Sequence, residues 1–183
     1  MEPARGRLLV ATPVLDDPNF DRTVVLILEH GIDGTLGVIL NRRGPAPVDV
    51  VVPAWGPLVD EPADVFLGGP VATGGAIGLA LSNVDDDVDG FSYLFDGIGT
   101  VDLERDPEDL DADIERMRIF AGHAGWSPGQ LAGELEVGAW FVVEADPEDP
   151  WTDEPEQLWS QVLLRQPGRL RMFAYCPPDP SVN

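Results

Sequence analysis

The chain contains no lysine: all 11 of its basic residues are arginine, against 33 Asp and Glu, for a net charge of −22. Without lysine there is no Walker-type phosphate-loop amine, no Schiff-base amine and no Ser-Lys dyad. The scarcity of cations also argues against direct nucleic-acid binding, because that affinity rests on Lys and Arg displacing counterions from the phosphate backbone. Acidity of this kind serves solubility through self-repulsion. Cysteine is nearly absent too. The single Cys176 rules out an internal disulfide and suits a reducing cytoplasm. With only two histidines, His30 and His123, a transition-metal site is hard to assemble, so neither a metal nor a cofactor is expected. Long apolar runs are missing. The stretch before Pro13 is too short for a signal-peptide core and far from the ~20 residues of a membrane helix, so a cytoplasmic protein without membrane association is expected.

What is present reads as strands and a few helices. "RLLVAT", "RTVVLILE" and "TLGVILN" are rich in β-branched and aliphatic residues and bounded by Pro, Asp or Gly. "HGIDG" supplies a hairpin signal between the last two, which are predicted to pair antiparallel. Their nearly continuous apolar runs predict burial on both faces. Further strands are expected at "DVFLGG", "GAIGLALS", "IGTVDL", "RMRIFAG", "GAWFVVEA" and "RLRMFAYC". Asp106 and Pro107 open a short helix, and Asp153 with Glu156 is spaced as a capping box for "EPEQLWSQVLLRQ", with Leu158, Trp159, Val162 and Leu163 at helical spacing. No repeat or linker divides the chain. The expectation is one α+β domain over residues 1–176 with about three helices, followed by a flexible tail at 177–183.

Two motifs suggest chemistry. In "AGHAGWSPGQL", Gly125, Ser127 and Gly129 spell G-x-S-x-G, the nucleophile elbow of hydrolases. Pro128, however, follows the serine and has no N–H to offer an oxyanion. His123, four residues upstream on an extended segment, would stand about 13 Å from Ser127. The spacing S-x-x-Q instead predicts Ser127 as a helix N-cap, with Pro128 in the first turn and Gln130 completing a capping box. The second motif, "DDDVDGFSYLFD", places Asp85, Asp87, Asp89, Gly90 and Asp96 at EF-hand positions. Its flanks read as strands, position eight is Ser92, and position twelve is Asp rather than Glu, so a solvated acidic loop is expected.

Polar residues at predicted strand ends remain: Arg22, His30, Asn41 and Arg42, with His123, Trp126 and Gln130. Such positions can line a pocket, and two arginines in so acidic a chain could hold a small anionic ligand. Alternatively, Arg22 and Arg42 neutralise Asp16, Asp17, Asp21 or Glu29.

Taken together and in order, "GRLLVATPVLDDPNFDRTVVLILEH", "DGTLGVILNRR", "VFLGGPV", "AGHAGWSPGQLAGELEVGAW" and "LWSQVL" resemble the YqgE/AlgH family of bacterial proteins over nearly the whole chain. The resemblance implies a bifurcated, largely antiparallel sheet curled into a pseudo-barrel and flanked by helices. It brings no settled activity. Members often bear the label of transcriptional regulator, yet the family fold lacks a helix-turn-helix, so any effect on transcription is expected to be indirect. Gly125, Trp126, Gly129 and Gln130 belong to the family signature, whereas Ser127 is not required there. His123 stands where Tyr is more usual, and Asp85 to Asp89 is an elaboration of this chain. The expected function is a non-enzymatic module binding a small anionic ligand or a protein partner, its candidate site formed by Arg22, Asn41, Arg42, His123, Trp126 and Gln130. The alternatives are a hydrolase using Ser127 or a His-carboxylate pair, and a direct DNA-binding regulator.

Overall fold

In the computed structural model, which describes residues 1–176, the chain begins with β1 (Arg7–Ala11), β2 (Val24–Gly31) and β3 (Gly34–Ile39). Strands β2 and β3 form the expected antiparallel hairpin, with Gly31 opposite Gly34. Strand β1 pairs antiparallel with β2 on one side and with β10 (Trp140–Glu144) on the other. The apolar runs are continuous because both faces are covered. Leu8, Val10, Val24, Leu26 and Val38 point into a core completed by Leu158, Trp159, Val162 and Leu163 of helix α3 (Pro155–Leu164). The alternate residues Leu9, Ala11, Val25, Ile27 and Ile39 face a second core with Leu131 of helix α2 (Gln130–Glu136). A period of two thus serves two cores. Trp159 also donates from Nε1 to the carbonyl of Ala11 at 2.8 Å, which ties α3 to the end of β1.

The second half is organised by the 13-residue strand β9 (Ile114–Trp126). Along one edge it pairs antiparallel with β6 (Val71–Ser82). Its other edge is divided: Phe120 and Ala121 pair in parallel with β5 (Asp64–Leu67), and Ala124 to Trp126 pair antiparallel with β3. Beyond β6 lie β8 (Ile98–Val101) and then β7 (Phe91–Phe95), while β4 (Arg43–Pro47) pairs with β5. The result is a curled, largely antiparallel half-barrel, forked where β3 and β5 meet β9. A single helical turn, α1 (Val48–Val51), and short 3-10 segments complete the described chain. None of the described helices is long and apolar enough to cross a membrane.

At the fork, backbones nearly touch. Gly68 donates to Ala121 O and accepts from Ile39 N, both at 2.8 Å, bridging β9 and β3. A Cβ placed on Gly122 (φ +66°) would lie 2.6 Å from Gly69 O and 2.8 Å from Val71 O. One on Gly69 would be driven into the His123 carbonyl. Here glycine is required by close approach as well as by φ. Opposite Gly122, β6 bulges outward through Ala72 to Gly75 before pairing resumes at Ala76.

Four local expectations need correction. "RLRMFAYC" is not a strand: Leu170–Tyr175 is 3-10 helical, because Leu170, Phe173 and Ala174 recur at helical spacing and pack on the first core. The capping box of Asp153 and Glu156 does not form, since α3 starts at Pro155 and Thr152 Oγ1 accepts from Glu154 N at 3.2 Å. Strand β9 runs on through Trp126, so α2 starts at Gln130 and Ser127 is not its N-cap; of the capping box only the return half exists, with Ser127 N donating to Gln130 Oε1 at 3.0 Å. The acidic segment 85–96 contains β7, turned into β8 by Asp96 and Gly97, both at positive φ, as a two-residue hairpin of this twist demands. The tail expected at 177–183 lies outside the described residues.

If the fork depends on glycine contact, Gly69→Ala lowers stability by about 3 kcal/mol or more, or prevents folding. Gly74→Ala is the control: its Cβ would meet nothing within 4 Å, and its melting temperature should stay near wild type in the same thermal scan.

Candidate functional site

The turn end of the β2–β3 hairpin and the last residues of β9 enclose a cleft of about 630 Å³. Glu29, His30 and Thr35 line one side, and His123, Trp126 and Ser127 the other. Both histidines of the chain therefore reach one cavity. Their positions follow from the pairing: His30 stands opposite Thr35 in the hairpin, and Thr35 stands opposite Trp126 of β9. His30 Nδ1 and Thr35 Oγ1 share a hydrogen bond of 2.7 Å. By contrast, His123 Nδ1 is buried with no partner among the described residues. Burial lowers the His123 pKa below its usual 6.5, favouring the neutral ring. Acidic Glu29 and Asp33 line the cleft and no arginine does. A neighbouring groove of about 710 Å³ shares Glu29, His30 and Leu36.

The six candidate residues do not converge on this cavity. His123 and Trp126 line it, but Trp126 is also core, only 4% exposed. Its indole Nε1 donates to Glu134 Oε2 at 2.8 Å, and Trp140 Nε1 donates to the same oxygen at 2.7 Å. Gln130 is exposed on α2 and donates to Glu134 Oε1 at 3.0 Å. Phe20 packs against both indoles, with ring centroids 6.0 Å from Trp126 and 5.4 Å from Trp140. Sequence reasoning passed over Glu134, although its spacing four residues after Gln130 is a helical neighbour signal.

Arg22, Asn41 and Arg42 form a separate group. Asn41 accepts from Val24 N and donates to Arg22 O, both at 2.8 Å, so it stitches the start of β2. Arg22, at φ +50°, lies 4.4 Å over the Trp159 ring and donates to the carbonyl of Cys176. Arg42 donates to Pro18 O at 3.1 Å and Asp21 O at 3.3 Å. Neither arginine forms an ion pair among the described residues, so neutralisation of Asp16, Asp17, Asp21 or Glu29 is not their role. Their donors go to carbonyls of irregular backbone, which need partners wherever secondary structure supplies none. Arg42 also lines a small groove of about 210 Å³ with Asn19 and Thr73.

Other chemistry finds little footing. Among the described residues no group of three or more His, Cys, Asp or Glu is placed to hold a metal ion. Within the EF-hand-like spacing, both carboxylate oxygens of Asp89 accept from Arg105 at 2.7 Å and Asp87 accepts from Tyr93 N at 2.8 Å. Strands β6 and β8 flank the segment where helices would be needed. Ser127 lines the histidine cleft, yet among the described residues it hydrogen-bonds neither histidine.

The chain has well-defined relatives. A family model described as AlgH-like matches residues 8–171. A UPF0301 protein of Streptomyces avermitilis is 50% identical over 182 residues, spanning 97% of this chain and 94% of its own length. One from Mycobacterium tuberculosis strain H37Ra is 43% identical over 181 residues, covering 97% of this chain and 90% of itself. Among solved structures, a Corynebacterium diphtheriae protein superposes with a TM-score of 0.86 at 38% identity, over 96% of this chain and 94% of its own. The solution structure of AlgH from Pseudomonas aeruginosa gives 0.69 at 26% identity, over 97% of both chains.

Two expectations follow from the geometry. Glu134→Ala strands two indole donors and should cost about 2–4 kcal/mol in urea unfolding followed by tryptophan fluorescence, with Glu134→Gln costing less. For His123, the folded pKa lies below the unfolded one, so its contribution is complete above about pH 6.5 and declines as the pH falls through the interval between the two values. Stability measured from pH 8 to pH 5 should lose this component of its slope in His123→Gln.

Proposed function

The chain belongs to the AlgH-like family, and we propose that it is a non-enzymatic cytoplasmic binding module that takes a small ligand in the histidine cleft. The observation that carries this reading is that both histidines, His30 and His123, line one cavity, with His123 Nδ1 buried and without a partner among the described residues. A buried polar atom without a partner is rare in native proteins and costly to leave unmet. The cleft volume also falls within the ~300–1,000 Å³ typical of small-molecule sites.

The lining favours an uncharged or cationic ligand. Glu29 and Asp33 contribute negative charge, and the arginines that suggested an anion are bound to backbone elsewhere. In this proposal His123 and Trp126 contact the ligand, whereas Arg22, Asn41, Arg42 and Gln130 hold the surrounding segments in place. With a net charge of −22, any influence on transcription runs through a ligand or protein partner rather than through DNA. A hydrolase remains the second reading, on the one observation that Ser127 lines the same cleft as both histidines.

A ¹⁵N-correlated titration of the full chain against neutral and cationic metabolites distinguishes the two. Binding should shift the amides of Gly34, Thr35, Gly125 and Trp126, and His123→Ala should weaken it by about tenfold. Shifts clustered elsewhere, or unchanged affinity in the variant, would contradict the proposal. Labelling by a fluorophosphonate that disappears in Ser127→Ala would favour the hydrolase instead.

A further inference from the structure

Among the described residues three strands of the sheet, β4, β7 and β10, have a single partner. Each leaves one edge of backbone donors and acceptors outside the ladder. Two of these edges are blocked. Strand β4 carries Pro45 and Pro47, which have no N–H to offer. Along β7, Phe91 exchanges hydrogen bonds of 3.0 and 3.1 Å with Val88, and Tyr93 N donates to Asp87 at 2.8 Å. Strand β10 has neither device. Ala11 N donates to Thr23 O and Thr12 N to Ala139 O, so the even-numbered residues of β1 bond β10 through Phe141 and Val143. Trp140, Val142 and Glu144 therefore turn their backbone groups outward, and no hydrogen bond reaches those groups among the described residues.

A groove of about 630 Å³ follows this edge. Its lining includes Trp140 and Val142, which belong to the second core, together with Phe141 and Leu170, which pack on the first. A groove touched by both faces of β10 passes over the edge of the strand. Ala132 and Leu135 of α2 form a further apolar wall. The charges around it have one sign. Neither α2 nor β10 carries a basic residue; Glu2 lines the groove, and Glu136 is exposed one helical turn after Ala132. Arg7 is already paired with Glu144 at 3.3 Å. A second copy of the chain would bring another net charge of −22 to the same edge, which opposes pairing with itself.

We propose that the outer edge of β10 takes an extended segment of a basic protein partner, which adds to the sheet as a further strand with apolar side chains at its centre and arginine or lysine at its ends. The groove meets the histidine cleft only at His30. The two readings are tested separately, because cleft binding is read at Gly34, Thr35, Gly125 and Trp126 and strand addition at Val142 and Glu144.

The test uses the whole chain and an acetylated, amidated peptide Arg-Val-Ile-Val-Arg. In a ¹⁵N-correlated titration the peptide should shift the amides of Val142 and Glu144. A Glu-flanked analogue should bind at least about tenfold more weakly. Methylation of one alternate set of peptide amides should abolish binding, and methylation of the other set should leave it intact, since only one set faces the edge. Val142→Pro removes an outward donor without breaking a bond to β1 and should weaken binding by about tenfold. Absence of shifts at these amides up to about 1 mM peptide, equal binding of the Glu-flanked analogue, or equal loss from both methylated sets overturns the proposal. So does concentration-dependent self-association that shifts the same amides, which gives the edge to a second copy. Should Val142→Pro fail to fold, the two methylated peptides against the wild type still decide.

Discussion

The backbone of Gly68 and Gly69 lies against that of Gly122 and His123 so closely that a side-chain carbon at Gly68, Gly69 or Gly122 would overlap main-chain atoms of the other segment. Sheet architecture on both sides depends on this contact. Gly68 hydrogen-bonds Ala121 of β9 through its N–H and Ile39 through its carbonyl, which lets one strand hand its edge from β5 to β3 without leaving backbone groups unpaired. Gly122 takes the left-handed conformation that keeps β9 continuous past the handover. The fork in the half-barrel is therefore a property of backbone packing more than of side-chain choice.

From the fork the geometry of the cleft follows. Because β9 continues to Trp126, His123 reaches the cleft at the turn end of the β2–β3 hairpin while Trp126 turns to the second core. There Glu134 gathers two indole N–H groups and the Gln130 amide onto one carboxylate, clamping α2 over β9 and β10. The clamp holds one wall of the cleft rigid. A rigid wall is what a preformed site requires if ordering costs are to be avoided on binding.

Much of this was legible from letters alone. Continuous apolar runs correctly implied strands covered on both faces, "HGIDG" the hairpin, and the spacing of Leu158, Trp159, Val162 and Leu163 the helix that covers the first core. The missed features share a physical cause, which is dependence on distant partners. "RMRIFAG" looked like the end of a strand because glycine usually interrupts one; only the contact with Gly69 makes Gly122 a bend within β9. Arg22 and Arg42 looked available for an anion, but Arg22 is satisfied by Cys176 and Arg42 by the loop carrying Pro18 and Asp21. Of the residues singled out from the sequence, His123 and Trp126 line the cleft, and His30 lines it only through the register of β2, β3 and β9.

If the glycine crossing organises the sheet, the fork is the most firmly held part of the molecule, and amide hydrogen exchange tests that directly. The N–H groups of Ile39 and Gly68, which bond Gly68 and Ala121 across the fork, should exchange only through global unfolding, with protection equal to the largest in the chain. Protection at these two amides clearly below that of the β1–β10 pair would contradict it, and would move the organising contact from the glycine crossing to the sheet edge beneath α3.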